Sequence, residues 1–221
     1  MLEKFTTSTP RRGFLGRITA AAFGLGAATL VPAQAHAAIS TSAGSDPELE
    51  AWFAKLTGKH RAVFDAPEPN GGMPAVWPRV YLNTTEASYP GQGVTAMVIL
   101  RHGGLAMALG DTVWQKYPIG EMFGINDGDK PAMANPYARI TNLPLPGLGI
   151  EELLKSGVLV GACDVALTVY SSGAAKKVGA DAGAVRKDWV AGLLPGIRIV
   201  PSGVMAAARA QELGASYIFA G

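Results

Sequence analysis

Two residue types in this chain readily do covalent or proton-transfer chemistry near neutral pH, and both are rare. The sequence has one cysteine, Cys163, and three histidines, of which His60 and His102 come after residue 37. A cysteine thiolate is a nucleophile that can carry an extra sulfur atom, and a histidine exchanges a proton near pH 7 or binds a metal. Which of these residues share a site depends on the elements that position them.

Apolar runs in the sequence predict the strands of one sheet. Near-continuous apolar runs are typical of parallel strands that are buried on both faces, and they occur at residues 61–64, 94–100, 158–162, 197–200 and 217–219. Helical patterns lie around and between them, at residues 46–56, 110–117, 149–155, 164–170, 182–194 and 202–213. Asp46 and Ser202 are in N-cap positions. This alternation predicts one three-layer α/β domain with a mainly parallel sheet, flavodoxin-like in architecture.

The order of the predicted elements selects the catalytic candidates. In an open parallel sheet, ligands bind at the edge formed by the carboxyl ends of the strands. Cys163 and His102 follow two of the predicted strands and would meet at this edge, whereas His60 begins a strand at the opposite edge and is predicted to be structural. Other polar residues that follow strands are candidates for contacting a ligand at the same edge: Asp65, Arg101, Asp164 and Ser202.

The position of Cys163 supports two interpretations. It stands directly before a predicted helix, whose free N–H groups and partial positive charge stabilise a thiolate. Free cysteines are also among the most buried residue types and often pack as small apolar side chains. The sequence leaves open a reactive or a structural Cys163, and it leaves open His102 as a base, a ligand or a hydrogen-bonded structural residue.

No motif in the chain indicates a cofactor or a metal. The sequence contains no Gly-x-Ser-x-Gly, P-loop, Cys-x-x-Cys or His-Glu-x-x-His pattern. One cysteine and the two histidines after residue 37 are too few for a zinc site within one chain, although two copies together would supply more ligands. Trp114 is expected in the core. We therefore expect no cofactor.

Residues 1–37 have the pattern of a twin-arginine signal peptide. Arg11 and Arg12 precede an apolar stretch at residues 18–31, and Ala35 to Ala37 matches the small-x-small cleavage pattern. The apolar stretch is shorter than the ~20 residues that span a bilayer. We expect export by the Tat translocase, cleavage after Ala37, no stable membrane span in the mature chain, and a periplasmic or otherwise exported location.

The remainder divides into a flexible lead-in, residues 38–46, and one domain, residues 47–221. The net charge of the whole chain is +2, but residues 1–37 hold four basic side chains and one acidic side chain, so the remainder carries about −1. It has no basic run or stripe, which excludes nucleic-acid binding. The low content of charged residues, 16%, and the high content of apolar residues, 48%, predict a homo-oligomer.

Two segments have ambiguous patterns. Residues 73–88 fit a helix or an additional strand around Val80, and Pro78 is unfavourable inside a helix. Residues 117–147 are rich in Pro and Gly and are predicted to form a long loop. Loops of that length inside a domain are usually functional or lie at an interface.

Three stretches resemble the DsrE/DsrF-like sulfur-relay family: residues 157–167 around Cys163, residues 193–205 with the Leu-Pro-Gly-Ile-Arg-Ile-Val-Pro-Ser-Gly-Val junction, and residues 210–217. The Arg101-His102 pair resembles an exported branch of that family, and the resemblance spans about residues 59–221. It implies a compact α/β fold, assembly into rings or trimers, and a persulfide on Cys163 that is passed between a donor and an acceptor protein.

Three hypotheses follow. The first is an exported sulfur carrier in which Cys163 accepts sulfane sulfur and His102 orients it or shuttles a proton. The second is a non-enzymatic binding or assembly module with a structural Cys163. The third, a redox or metal accessory, has the fewest candidate ligands. The accessibility of Cys163 and its neighbours discriminate between the first two.

Overall fold

The computed structural model describes residues 46–221 of the chain. The predictions for the signal peptide, including Arg11, Arg12 and the cleavage after Ala37, lie outside the described residues, as does the lead-in up to residue 45. Within residues 46–221, no helix is long and apolar enough to cross a membrane.

The strands are β1 (His60–Ala66), β2 (Val94–Leu100), β3 (Asn126–Asp127), β4 (Lys130–Pro131), β5 (Leu159–Cys163), β6 (Arg198–Val200) and β7 (Ser216–Phe219). The α-helices are α1 (Pro47–Phe53), α2 (Met73–Ser88), α3 (Asp111–Lys116), α4 (Ile119–Phe123), α5 (Ile150–Lys155), α6 (Asp164–Val178), α7 (Ala182–Ala191) and α8 (Gly203–Glu212). Two 3₁₀ segments span Asn70–Gly72 and His102–Ala108.

The main sheet has five parallel strands in the order β6-β5-β2-β1-β7. The strand that is longest and most apolar in sequence, β2, lies at its centre, where both faces are covered. Each of the five predicted strands is present within two residues of its predicted bounds. The prediction of a three-layer α/β domain with a mainly parallel sheet is confirmed.

Helices cover both faces of the sheet because alternate strand residues point in opposite directions. Phe64 and Trp114 belong to the larger core, which the sheet forms with α2, α3, α5, α6 and α7. Val63, Phe53 and Ala206 belong to the smaller core, which the sheet forms with α1 and α8. Trp114 is fully buried, as predicted.

Local signals define several helix ends. The Asp46 carboxylate accepts hydrogen bonds from the backbone N–H groups of Glu48 and Leu49 at 3.0 and 3.3 Å, a cap that contributes about 1 kcal/mol. Ser202 caps α8 in the same way through the N–H of Met205, at 3.1 Å. The prediction for the helix after Cys163 was too short, because α6 continues to Val178 and ends at Gly179 in a left-handed conformation.

Residues 73–88 form a helix rather than a strand. Pro74 and Pro78 both lie inside α2, and both are buried together with Ala75 and Val76. The helix packs against β1 and β2. Most helical stability in proteins comes from packing of an apolar face, so this burial offsets the backbone hydrogen bond that Pro78 cannot donate.

The prediction of one long loop at residues 117–147 was wrong in part. The segment contains α4 and an antiparallel pairing of β3 with β4, and Ile140 forms an isolated bridge with Leu148. Buried Asn135 anchors it, because its side-chain amide donates to the carbonyl groups of Met107 and Leu109 at 2.9 and 2.8 Å. These contacts join residues far apart in sequence, which composition does not encode.

Candidate functional site

The strand register brings most of the candidate residues to one edge of the sheet. Ala66 pairs with Leu100, and Leu100 pairs with Ala162, so Arg101 and Cys163 each stand one position beyond a matched pair on adjacent strands. Cys163 in turn pairs with Val200 of β6. The predicted meeting of polar residues at the carboxyl ends of the strands is therefore observed, except that Asp65 lies inside β1 and not just beyond it.

Asp65, Arg101 and Tyr217 form a hydrogen-bonded network at this edge. Arg101 donates from Nε to Oδ1 of Asp65 at 2.7 Å and from Nη2 to Oδ2 at 2.9 Å, which is a bidentate ion pair. The Tyr217 hydroxyl donates to Oδ2 of Asp65 at 2.6 Å. The network joins the ends of β1, β2 and β7. It satisfies a carboxylate whose side chain is only 4% exposed.

The protonation states of this network follow from its contacts. Burial by itself raises the pKa of Asp65, but the hydrogen bonds from Arg101 and Tyr217, together with the Arg101 charge, outweigh burial and lower that pKa below its ordinary value. The hydrogen bond to Asp65 raises the pKa of Arg101 and that of Tyr217. At neutral pH the network therefore holds one carboxylate, one guanidinium and one neutral phenol.

Cys163 is the last residue of β5 and the N-cap of α6. Its Sγ accepts a hydrogen bond from the backbone N–H of Ala166 at 3.4 Å. The residue is 6% exposed and packs in the larger core. The turn from strand to helix thus gives the sulfur a backbone hydrogen-bond donor and leaves little of its surface open.

Asp164, next to Cys163, is engaged by a different arginine. Arg186 of α7 contacts the Asp164 carboxylate with Nη2, and its Nε donates to the Thr168 hydroxyl at 3.2 Å. The carboxylate also lies in the first turn of α6, where negative charge is favoured. Arg186 and the N-terminus of α6 therefore compensate the negative charge of Asp164.

The first hypothesis requires His102 to act next to Cys163, but the structure gives His102 other partners. Its Nδ1 lies 3.1 Å from Oε1 of Glu68 and 3.2 Å from the hydroxyl of Tyr170, and within residues 46–221 no hydrogen bond joins it to Cys163. The side chain is 64% exposed. Its backbone φ of 49° is left-handed, a strained conformation for a residue other than glycine. The ring is thus turned toward solvent and held by Glu68 and Tyr170.

Glycines allow the chain to pack tightly around this edge. A Cβ on Gly203, the first residue of α8, would lie 2.6 Å from Cβ of Arg101, so the Arg101 side chain lies directly against the start of that helix. A Cβ on Gly104 would overlap the Ala66 carbonyl oxygen, and one on Gly103 would overlap the Glu68 carboxylate.

The remaining histidine and the last ligand candidate, His60 and Ser202, make structural contacts. The Ser202 hydroxyl is occupied as the cap of α8. His60 begins β1 at the opposite edge, where its Nε2 lies 3.2 Å from Oε1 of Gln92 and its ring stacks on Tyr89. Sequence reasoning missed Glu68 and Tyr170, and it gave no role to Tyr217, because no local pattern marks their partners.

Neither a family model nor a curated protein sequence matches this chain. One solved structure that it is similar to is a protein of unknown function, MTH1491 from Methanobacterium thermoautotrophicum. The two are 20% identical, with a TM-score of 0.39, and the similarity covers 73% of this chain and 99% of that one. A similarity at that level carries no argument about function. By its own architecture the chain is a parallel three-layer α/β domain with a polar carboxyl edge.

The described residues contain no ready metal centre. Among residues 46–221, no group of three or more His, Cys, Asp or Glu side chains is placed to hold a metal ion.

Proposed function

We propose that this protein is an exported sulfur carrier of the DsrE/DsrF-like type, with Cys163 holding sulfane sulfur as a persulfide. The observation that carries the proposal is the position of the only cysteine, at the junction of β5 and α6 on the carboxyl edge of the sheet, one residue past the pair that joins β5 to β2. The N–H of Ala166 donates a hydrogen bond to Sγ, and Arg101 stands at the end of the neighbouring strand β2, one position past the same strand pair.

The loading step is a thiolate displacement. The Cys163 thiolate attacks the terminal sulfur of a polysulfide, and an Sγ–S bond forms while the S–S bond of the donor breaks. The electron pair of the broken bond leaves with the shortened polysulfide, and the thiolate charge reappears on the outer sulfur of the persulfide. No oxidant or reductant is consumed, and delivery to an acceptor is the same step in reverse.

The proposal predicts that Cys163 takes up whole sulfur atoms. Exported protein is reduced, exposed to polysulfide and weighed by intact mass spectrometry beside Cys163→Ser. The native protein is expected to gain about 32 Da per sulfur atom, reversibly with a thiol reductant, and the variant is expected to gain nothing. The same mass reports whether the mature chain begins at Ala38, as the predicted cleavage after Ala37 on export to the periplasm implies.

Two results would count against the carrier function. One is sulfur uptake by Cys163→Ser, which would place the sulfur elsewhere. The other is a native protein that takes up no sulfur and reacts with alkylating reagents only after unfolding. Because serine is close to cysteine in size and can cap a helix, the variant is expected to fold, and its circular dichroism spectrum is the control.

A second candidate function is a non-enzymatic binding or assembly module on the same fold. Two observations favour it: Cys163 is 6% exposed, and the ring of His102 is hydrogen-bonded to Glu68 and Tyr170 instead of to the cysteine. In this alternative Cys163 serves as the cap of α6. An inert native thiol in the mass experiment is its expected result.

A further inference from the structure

Arg101 is the fixed positive group nearest to Cys163 in the strand register. Leu100 pairs with Ala162, so the next residue on each strand is Arg101 and Cys163 respectively. The hydrogen bond to Asp65 is the main reason that the pKa of Arg101 is raised, and the nearby Cys163 sulfur adds to the effect. The two residues therefore stand at the carboxyl ends of neighbouring strands, although they are 62 positions apart in sequence.

In the ion pair of Asp65 with Arg101, the positively charged partner is the more exposed to solvent. The Asp65 side chain is 4% exposed, whereas that of Arg101 is 28% exposed. Asp65 occupies Nε and Nη2 of the guanidinium, and within residues 46–221 Nη1 has no hydrogen-bond partner. A guanidinium carries five N–H donors in a rigid plane, so donors are left for a ligand. The Tyr217 hydroxyl also donates a hydrogen bond to the Asp65 carboxylate and holds it in place.

The other charged groups at this edge are already engaged. Asp164, adjacent to Cys163, is paired with Arg186, which compensates its negative charge. Glu68 lies against His102 instead of against Arg101. A buried carboxylate thus orients Arg101, and the start of α8 packs against its side chain. Among residues 46–221, Asp65 is the only acidic side chain that pairs with it.

We infer that Arg101 recognises the negative charge of the sulfur donor, so that the donor for Cys163 is a small sulfur anion such as polysulfide or thiosulfate. The inference rests on the proposed function. With thiosulfate, the Cys163 thiolate takes the outer sulfur, the S–S bond of the donor breaks, and its electron pair leaves on sulfite. A donor dianion gains a bidentate or single N–H···anion contact with Arg101 that a neutral donor does not. Arg101 is then a specificity-determining residue.

The test compares two alkylating reagents of nearly equal size, anionic iodoacetate and neutral iodoacetamide. Both attack the same thiolate, so the ratio of their rates cancels changes in thiol ionisation and accessibility and reports the charge near Cys163. In the full mature protein, Arg101→Gln is expected to lower the iodoacetate to iodoacetamide ratio several-fold, because it removes a positive charge that attracts the anionic reagent. Arg101→Lys keeps the charge and is expected to keep most of the ratio.

Arg198→Gln is the matched control, since Arg198 has a similar side-chain exposure, 32%, and pairs with Asp46 and Glu48 instead. Should Arg101→Gln not fold, the double variant Asp65→Asn/Arg101→Gln removes both charges without leaving a buried carboxylate unpaired. The inference is overturned if the iodoacetate to iodoacetamide ratio is unchanged in Arg101→Gln, or in the double variant where it replaces Arg101→Gln. It is also overturned if the ratio falls equally in Arg198→Gln. If sulfur loading of Cys163 persists with that result, the proposed function stands without it, whereas a native thiol inert to both reagents overturns both.

Discussion

Asp65 is the residue on which the candidate site depends most strongly. It is buried, it accepts three hydrogen bonds from Arg101 and Tyr217, and it orients the guanidinium of Arg101, whose strand neighbours that of Cys163. A buried ion pair gains little net stability over an apolar pair, but removal of one partner leaves an uncompensated charge. The pairing of Asp65 with Arg101 at the carboxyl edge therefore suits a role in which Asp65 positions Arg101.

Asp65→Asn is expected to lower the free energy of unfolding at neutral pH by about 3 kcal/mol, because it breaks a buried, hydrogen-bonded ion pair. The folded-state pKa of Asp65 lies below the unfolded value of about 3.9, so its contribution is present above that pH and is lost as the pH falls through the folded pKa. Urea unfolding of both proteins should give a difference that shrinks below about pH 4.

The comparison has an internal control. Asp188 also has a lowered pKa, through its hydrogen bonds to Lys116 and Tyr117, but it lies at the surface. Asp188→Asn is expected to change the stability far less than Asp65→Asn. A difference between wild type and Asp65→Asn that stays constant from neutral to acid pH would contradict the assigned ionisation of Asp65.

At the scale of elements, the 3₁₀ segment His102–Ala108 determines the shape of the site. Six of its seven residues, all but His102, are buried. The Gly104 N–H donates to the Pro67 carbonyl at 2.8 Å, which ties the segment to the chain after β1. Because the segment turns immediately after Arg101, it directs His102 outward to Glu68 while Arg101 stays against Asp65.

The two glycines of this segment allow a matched test of its packing. Gly104→Ala is expected to lower the free energy of unfolding by about 3 kcal/mol, because the added Cβ meets the backbone carbonyl of Ala66, which cannot turn away. Gly103→Ala is expected to cost about 1 kcal/mol or less, because it meets the exposed Glu68 side chain, which can move. Thermal and urea unfolding measure both, and equal losses would argue against the close approach at Gly104.

At the scale of the whole molecule, apolar side chains are exposed near the same edge. Phe219 on the outer strand β7 is 55% exposed, and Val204 in the first turn of α8 is 69% exposed. Within residues 46–221, the strand β7 is an edge of the sheet and pairs with β1 alone. Exposed apolar surface together with an unpaired strand edge is typical of an interface.

We therefore propose that the mature protein is a homo-oligomer. Light scattering coupled to size-exclusion chromatography is expected to give a multiple of the monomer mass, and Phe219→Glu is expected to reduce it, because a charge at a buried contact is unfavourable. Glu replacing Tyr89, another exposed aromatic residue but on the turn after α2, is the control. A monomer mass for the native protein at micromolar concentration would refute the proposal.

The sequence by itself determined the strands, the caps and the class of fold. The run 94–100 is apolar except for Thr95, because both faces of β2 are buried over most of its length. Asp46 and Ser202 act through N–H groups two or three residues away, so these signals are local. Parallel strands also direct their carboxyl ends to one edge, which is why the placement of Arg101 and Cys163 at the same edge could be predicted from the sequence.

Only the tertiary structure decided what each side chain at that edge touches. The hydrogen bond from Tyr217 to Asp65 spans 152 positions, and the contact of Tyr170 with His102 spans 68, so no window of sequence contains both partners. The burial of Cys163 likewise depends on how α6 and the 3₁₀ segment pack over β5. Such contacts are determined by the packing of whole elements, and the side-chain chemistry of the site follows from that packing.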